Sequence, residues 1–232
     1  MSGRPKLEFA GLKRIATVFF ATVAFGVILF ASAGLLEWRR GWIYVAAQFL
    51  ASAAGVVFLL VTNPELLNAR GRKHSDTKSF DKVFAALYVF LLIALPVVAG
   101  LDAVRFRWSA MPVGAVVAGV LLFLGGEAPI IWSMAVNPFL ETTVRIQTDR
   151  GHSVIRSGPY QLVRHPMYVG LILQHIAVPM VLGSWWAYIP AGLIVVLFIV
   201  RSRFEDVTLR EGLTGYMQYS QNTRYLLVPG IW

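Results

Sequence analysis

Residues 167–200 read MYVGLILQHIAVPMVLGSWWAYIPAGLIVVLFIV, an apolar run too long for one membrane span and free of Asp, Glu, Lys and Arg. Gly183 and Ser184 divide it into halves of 16 residues, each roughly 24 Å long as helix against a hydrocarbon core of about 30 Å. The run therefore predicts a tight helical hairpin that either spans a thinned bilayer or dips partway into it. Four further apolar stretches precede it: Ile15 to Leu36, Trp42 to Thr62, Val83 to Leu101 and Val113 to Val136. Charged residues make up only 14% of the chain and hydrophobic ones 57%, against about 25% charged in soluble domains. The expected fold is an all-α integral membrane protein of about six membrane helices. Its last two helices form the hairpin, a pocket opens at the cytoplasmic face, and the C-terminal segment is interfacial. Residues 1–136 would form a four-helix membrane region and residues 137–232 a second unit.

Lys and Arg in the loops give the orientation, because cytoplasmic loops are enriched in them. With the N-terminus inside, the inner segments hold 17 and the outer loops only Arg39, Arg40, Arg105 and Arg107. Both termini are thus expected in the cytoplasm. The net charge of +9 is mainly this topology signal, with attraction to anionic membrane lipids as a second effect; nucleic acid is not an expected partner. The absence of cysteine excludes disulfides and thiolate chemistry. The four histidines show no metal-ligand spacing, so no metal is expected. The first apolar run is long enough to span and lacks a cleavage pattern, so it should stay as a helix. The basic segment Met1 to Arg14 is expected on the inner headgroups.

Polar residues inside the apolar runs are few. Gln48 reads as a helix–helix hydrogen bond, and Pro96 as a kink. Glu127 lies about ten residues from the inner end of its helix, roughly 15 Å deep. An acid at such depth is either functional or protonated and bonded to a neighbouring helix, and Gly125 and Gly126 beside it allow close approach. Asn63 and Pro64 end the second helix, and the charged stretch through Asp81 reads as a solvated loop. Asn137 to Arg156 reads as a small cap of two extended pieces about a turn at Asp149 to Gly151.

The chemistry concentrates around SGPYQLVRHPMY, Ser157 to Tyr168. Pro166 suits the first position of a helix, which places Arg164 and His165 at a helix mouth whose free N–H groups and dipole favour an anion. An up-and-down hairpin then returns Arg201 to Asp206 beside this mouth. Cationic and helix-start donors would meet the carboxylates Glu205 and Asp206, with Tyr160, Tyr168, Tyr216 and Tyr219 as aromatic faces. S-adenosylmethionine suits such a pocket: its carboxylate, ammonium and sulfonium each find a partner. The competing reading is salt bridging within the helix, Arg201 to Glu205 and Asp206 to Arg210.

The order NPF, VRIQTDRGHSVIRSGPYQLVRHPMYVG, a helical hairpin, FEDVTLREGLTGYMQY and RYLLVPGIW resembles the isoprenylcysteine carboxyl methyltransferase family, related to the phospholipid methyltransferases. The resemblance covers Asn137 to Trp232 and implies a methyltransferase core there, using S-adenosylmethionine from the cytosolic side, with a lipophilic acceptor entering between helices. By resemblance, His165 and Tyr168 contact the cofactor, Tyr160 and Arg164 lie at its edge, and Glu205 and Asp206 match the family's acidic pair. Arg210 would hold an anionic acceptor group. An isoprenylcysteine-like carboxylate needs no base; a phospholipid or small-lipid amine does, and then His165, Glu205 or Glu127 must take the proton. Asp206 departs from the second glutamate common in relatives, and QNTRY carries less arginine than usual. NADPH-dependent membrane reductases share an RHP-like element, but commonly with asparagine where this chain has Met167. A non-catalytic lipid-binding protein is the remaining alternative.

Overall fold

A computed structural model describes residues 6–231; Arg4, counted among the inner cations, and Trp232, the end of the terminal motif, lie outside the described residues. The described chain is all helical: α1 (Phe9–Ala33), α2 (Arg39–Thr62), α3 (Pro64–Gly71), α4 (Ser79–Gly100), α5 (Val113–Val136), α6 (Pro166–Leu182), α7 (Tyr188–Gly212) and α8 (Tyr216–Asn222). Past Pro96, α4 continues as a π-helical turn, Leu101–Phe106. Four helices, α1, α2, α4 with this turn, and α5, are long and apolar enough to cross a membrane. Phe20, Val27, Phe90 and Leu121 point outward on them, as a hydrocarbon solvent requires. The protein is an integral membrane protein.

The hairpin turns where the sequence breaks. Gly183 ends α6 in the left-handed conformation, φ 78°, which costs a glycine nothing. Ser184 donates to Asp102 Oδ2 and accepts from Ala187 N at the start of α7. Asp102, fully buried, also accepts from Ser109 Oγ and Trp186 N. These bonds pin the turn of the hairpin to the α4–α5 connection. In the middle, α5 and α6 meet backbone to backbone at Gly126 and Gly170, where a Cβ on either would run into the other's carbonyl oxygen.

Three expectations need correction. Pro64 does not introduce a solvated loop: it opens α3, with Asn63 Oδ1 capping Leu66 N at 3.0 Å and Leu66, Leu67, Asn68 and Ala69 buried. Asn followed by Pro and Glu is a complete helix-start signal. The cap holds no strands among the described residues; its turn is a 3-10 turn, Thr148–Arg150, closed by Gly151, and the flanking chain is held by side-chain bonds. Gln48 bonds within its own helix, to Tyr44 and Ser52. The tail docks as expected, with Leu226 and Leu227 buried.

Gly170→Leu is expected to lower the unfolding midpoint of the detergent-purified protein, because overpacking at this crossing costs about 1–3 kcal/mol or more. Gly192→Ala, where a Cβ meets nothing within 4 Å, should leave the midpoint unchanged or raise it.

Candidate active site

The mouth of the hairpin is assembled from three distant pieces of chain. His165 is the residue before α6, with Pro166 at the first helical position. The tail pairs with it in a short backbone ladder, Arg164 N to Tyr225 O and His165 N to Leu226 O, both 3.0 Å. Asp206, fully buried on α7, binds Arg164 Nε at 3.1 Å, Arg210 Nε at 2.8 Å and the Tyr216 hydroxyl at 3.0 Å. Arg164 donates further to Ser220 O at 3.0 Å. One carboxylate therefore ties α6, α7 and α8 together. A buried charge with two hydrogen-bond donors and a second guanidinium beside it is stable where one with fewer partners would not be.

Beside this knot lies a cavity of about 80 Å³, enough for the reacting end of a ligand. Tyr160, Arg164, His165, Tyr168, Glu205, Tyr216 and Tyr219 line it. The His165 ring stacks parallel on Tyr168, centroids 5.5 Å apart. The Tyr168 hydroxyl donates to Glu205 Oε2 at 2.5 Å. Burial pushes the His165 imidazole down to about 4, the nearby Asp206 only partly opposing it. His165 is thus neutral at pH 7, and its 3.8 Å approach to Glu205 is not an ion pair. Its Nε2 is buried without a hydrogen-bond partner, an unmet demand that a ligand in the cavity would fill.

The cap, residues 137–156, closes the other side. Arg145 forms a bidentate pair with Glu141, 2.9 and 3.1 Å, and a second with Asp149, 2.7 and 3.2 Å. Asp81 on α4 fastens it, accepting from Val144 N at 2.8 Å and pairing with Arg201 at 2.8 Å. Asn137 donates to the Tyr160 hydroxyl at 2.8 Å. Phe139 and His152, also on the wall, meet with rings tilted by 40° and centroids 4.8 Å apart, and burial lowers the His152 pKa.

Five of the six residues expected at a cofactor, Tyr160, Arg164, His165, Tyr168 and Glu205, share this cavity. Asp206 does not line it; its oxygens are spent on Arg164, Arg210 and Tyr216. Arg210 is likewise held by Asp206, off the wall. Glu127 lies elsewhere, accepting from Gln174 Nε2 of α6 at 2.8 Å. The expected Arg201–Glu205 bridge is replaced by Arg201–Asp81, and Arg201 lies over the rings of Phe84 at 4.3 Å and Tyr168 at 5.4 Å. Sequence reading brings Arg201 to the mouth but misses its partner Asp81, since nothing local marks a partner some 120 positions away, and it misses Asn137 and His152 as wall residues.

Residues 115–214 match the family model of phospholipid methyltransferases. The matched segment opens in α5, takes in the hairpin and the Glu205–Asp206 pair, and leaves α1 to α4 outside. It is in this segment that the chain is similar to a membrane lipid methyltransferase. No curated protein sequence matches the chain.

Asp206→Ala strands the buried Arg164 charge and is expected to cost about 3–5 kcal/mol of stability; replacing Arg164 and Asp206 together by Met and Leu should recover most of it, read by thermal unfolding in detergent. The His165 pKa of about 4 lies below its unfolded value of about 6.5, so the unfolded chain binds more protons in between. Stability falls as pH drops through that window, by roughly 2 kcal/mol at pH 5 from this group. His165→Gln should lack this part of the acid destabilisation.

Proposed function

We propose that the protein is an integral membrane methyltransferase that uses S-adenosylmethionine and acts on a lipophilic acceptor. The observation that carries this reading is the convergence of His165, Tyr168 and Glu205 on one cavity within the segment similar to phospholipid methyltransferases. The cofactor would supply an electrophilic methyl group on a sulfonium. Its charge distribution suits the wall: the tyrosine faces suit a sulfonium, and the unpartnered His165 Nε2 and the start of α6 offer polar contacts. The buried wall under the cap excludes water and fixes alignment, the main sources of rate for a one-step displacement. The excess of Lys and Arg on the cap side supports a cytoplasmic active site and cytoplasmic termini.

For the acceptor, the wall favours a lipid amine, as in phospholipid N-methylation, over an isoprenylcysteine carboxylate. Arg210, expected to hold an acceptor carboxylate, is bound to Asp206 at 2.8 Å and does not line the cavity. Glu205 does line it, held by Tyr168 through Oε2, and is placed to take the proton an amine must lose.

Incubation with methyl-tritiated S-adenosylmethionine and a membrane lipid extract should label an amine headgroup lipid. Glu205→Gln should reduce the label at least a hundredfold, within the usual worth of acid–base catalysis, while the protein still inserts and folds. Label appearing as a base-labile methyl ester would favour the carboxylate acceptor, and no label in any lipid would oppose methyl transfer.

A further inference from the structure

A second, larger cavity of about 640 Å³ lies on the same side, between α1, α3, α4 and the hairpin. It is in the size range of small-molecule sites, and Thr143, Met167 and Arg201 belong to its wall and to that of the first cavity. Its wall carries the cations Lys13, Arg14, Arg70, Lys73 and Lys82 and an adjoining apolar surface of Phe84, Tyr88, Leu171 and Phe198. Its carboxylates are already engaged, Asp81 by Arg201 and Glu141 by Arg145 and Arg150. Arg72 on the rim pairs with Glu8 and Glu65.

Arg14 and Arg70 have no such partner among the described residues. Arg70 donates one bond, to Leu140 O at 2.7 Å, and Arg14 meets no carboxylate. Their juxtaposition is built in. Gly71 lets α3 lie against the α1 backbone at Ala10, with the Arg14 Cβ 3.3 Å from where a Gly71 Cβ would stand. Asn68, fully buried, fastens the crossing by accepting from Glu8 N at 2.9 Å and donating to Lys6 O at 3.0 Å. Burial and the neighbouring charges of Arg14 and Arg201 push the Arg70 guanidinium down to about 9. Like charges held together beside a cavity are stabilised by an anion between them, and guanidinium forks match the oxygens of a phosphate.

We propose that Arg14 and Arg70 seat the phosphodiester of a membrane phospholipid, whose chains lie along the Phe84, Leu171 and Phe198 wall. The exposed Thr17, Ala85 and Val89 on the rim leave the cavity open toward lipid, and the adjoining apolar wall suits an amphiphile rather than a free anion. The binding follows from this cavity alone; its further role, anchoring the acceptor so that its headgroup passes Thr143 and Met167 toward Glu205, rests on the methyl-transfer reading. The seat comes from α1 and α3, outside the segment matching the phospholipid methyltransferases.

The test is binding to the detergent-purified full chain, by native mass spectrometry and thermal shift, of dioctanoyl phosphatidylglycerol, dioctanoylglycerol and inorganic phosphate. The phosphatidylglycerol should bind at least tenfold more tightly than the neutral diacylglycerol, and inorganic phosphate should give no shift. Arg14→Gln and Arg70→Gln should each weaken the lipid at least tenfold and leave S-adenosylhomocysteine binding unchanged. Arg14 makes no hydrogen bond among the described residues, so Arg14→Gln decides the matter should Arg70→Gln fail to fold. Equal binding of phosphatidylglycerol and diacylglycerol, equal binding by Arg14→Gln and wild type, or binding of phosphate as tight as the lipid would overturn the proposal. Lipid binding lost in Arg14→Gln, with no adenosyl ligand bound by the wild type, would uphold the seat and count against methyl transfer.

Discussion

The buried pair of Arg164 and Asp206 is the constraint on which the cap-side architecture depends. A carboxylate with no solvent exposure survives only if its charge is answered from every side, and Asp206 is answered by Arg164, Arg210 and Tyr216. Meeting those three demands fixes where the start of α6, the end of α7 and α8 stand relative to one another. His165, one residue from Arg164, and Glu205, one residue from Asp206, are thereby brought to face each other. Arg164, His165 and Glu205 all reach the cavity wall, and of this group only Asp206 turns away from it. The acidic doublet thus divides: Asp206 holds the frame, and Glu205 faces the cavity.

The two ends of the hairpin are secured by the same device. Asp102 fastens its turn to the α4–α5 connection through Ser184, Ser109 and the backbone of Trp186. Between these polar knots the helices are held by the Tyr88–His175 hydrogen bond and by packing that is closest at Gly126 and Gly170, where backbones approach as small residues in membranes allow. Glu127 belongs to this packing region, bonded to Gln174, directly after Gly125 and Gly126 and away from both cavities.

The sequence made much of this legible and left the rest out of reach for definable reasons. Hydropathy located the spans and the hairpin because a membrane leaves backbone polar groups only internal partners, and Gly183 marked the turn because its φ of 78° suits glycine. Pro166 marked the helix mouth in the same way. The cavity at the mouth was foreseeable because an antiparallel hairpin must return its second mouth to its first. Arg201 was misassigned to Glu205 by local spacing, whereas its partner Asp81 comes from another helix, and no periodicity encodes that. α3 was readable in Asn63, Pro64 and Glu65 but masked by the charges that follow. The second cavity needed the α1–α3 crossing, which glycines at positions 11 and 71 permit without announcing.

The most direct measurement is calorimetric titration of the detergent-purified protein with S-adenosylmethionine, S-adenosylhomocysteine and NADPH side by side. Saturable binding of both adenosyl compounds, with none of NADPH, is the predicted result. Binding of NADPH alone, or of none of the three by a folded sample, would contradict a methyl-transfer site at His165, Tyr168 and Glu205.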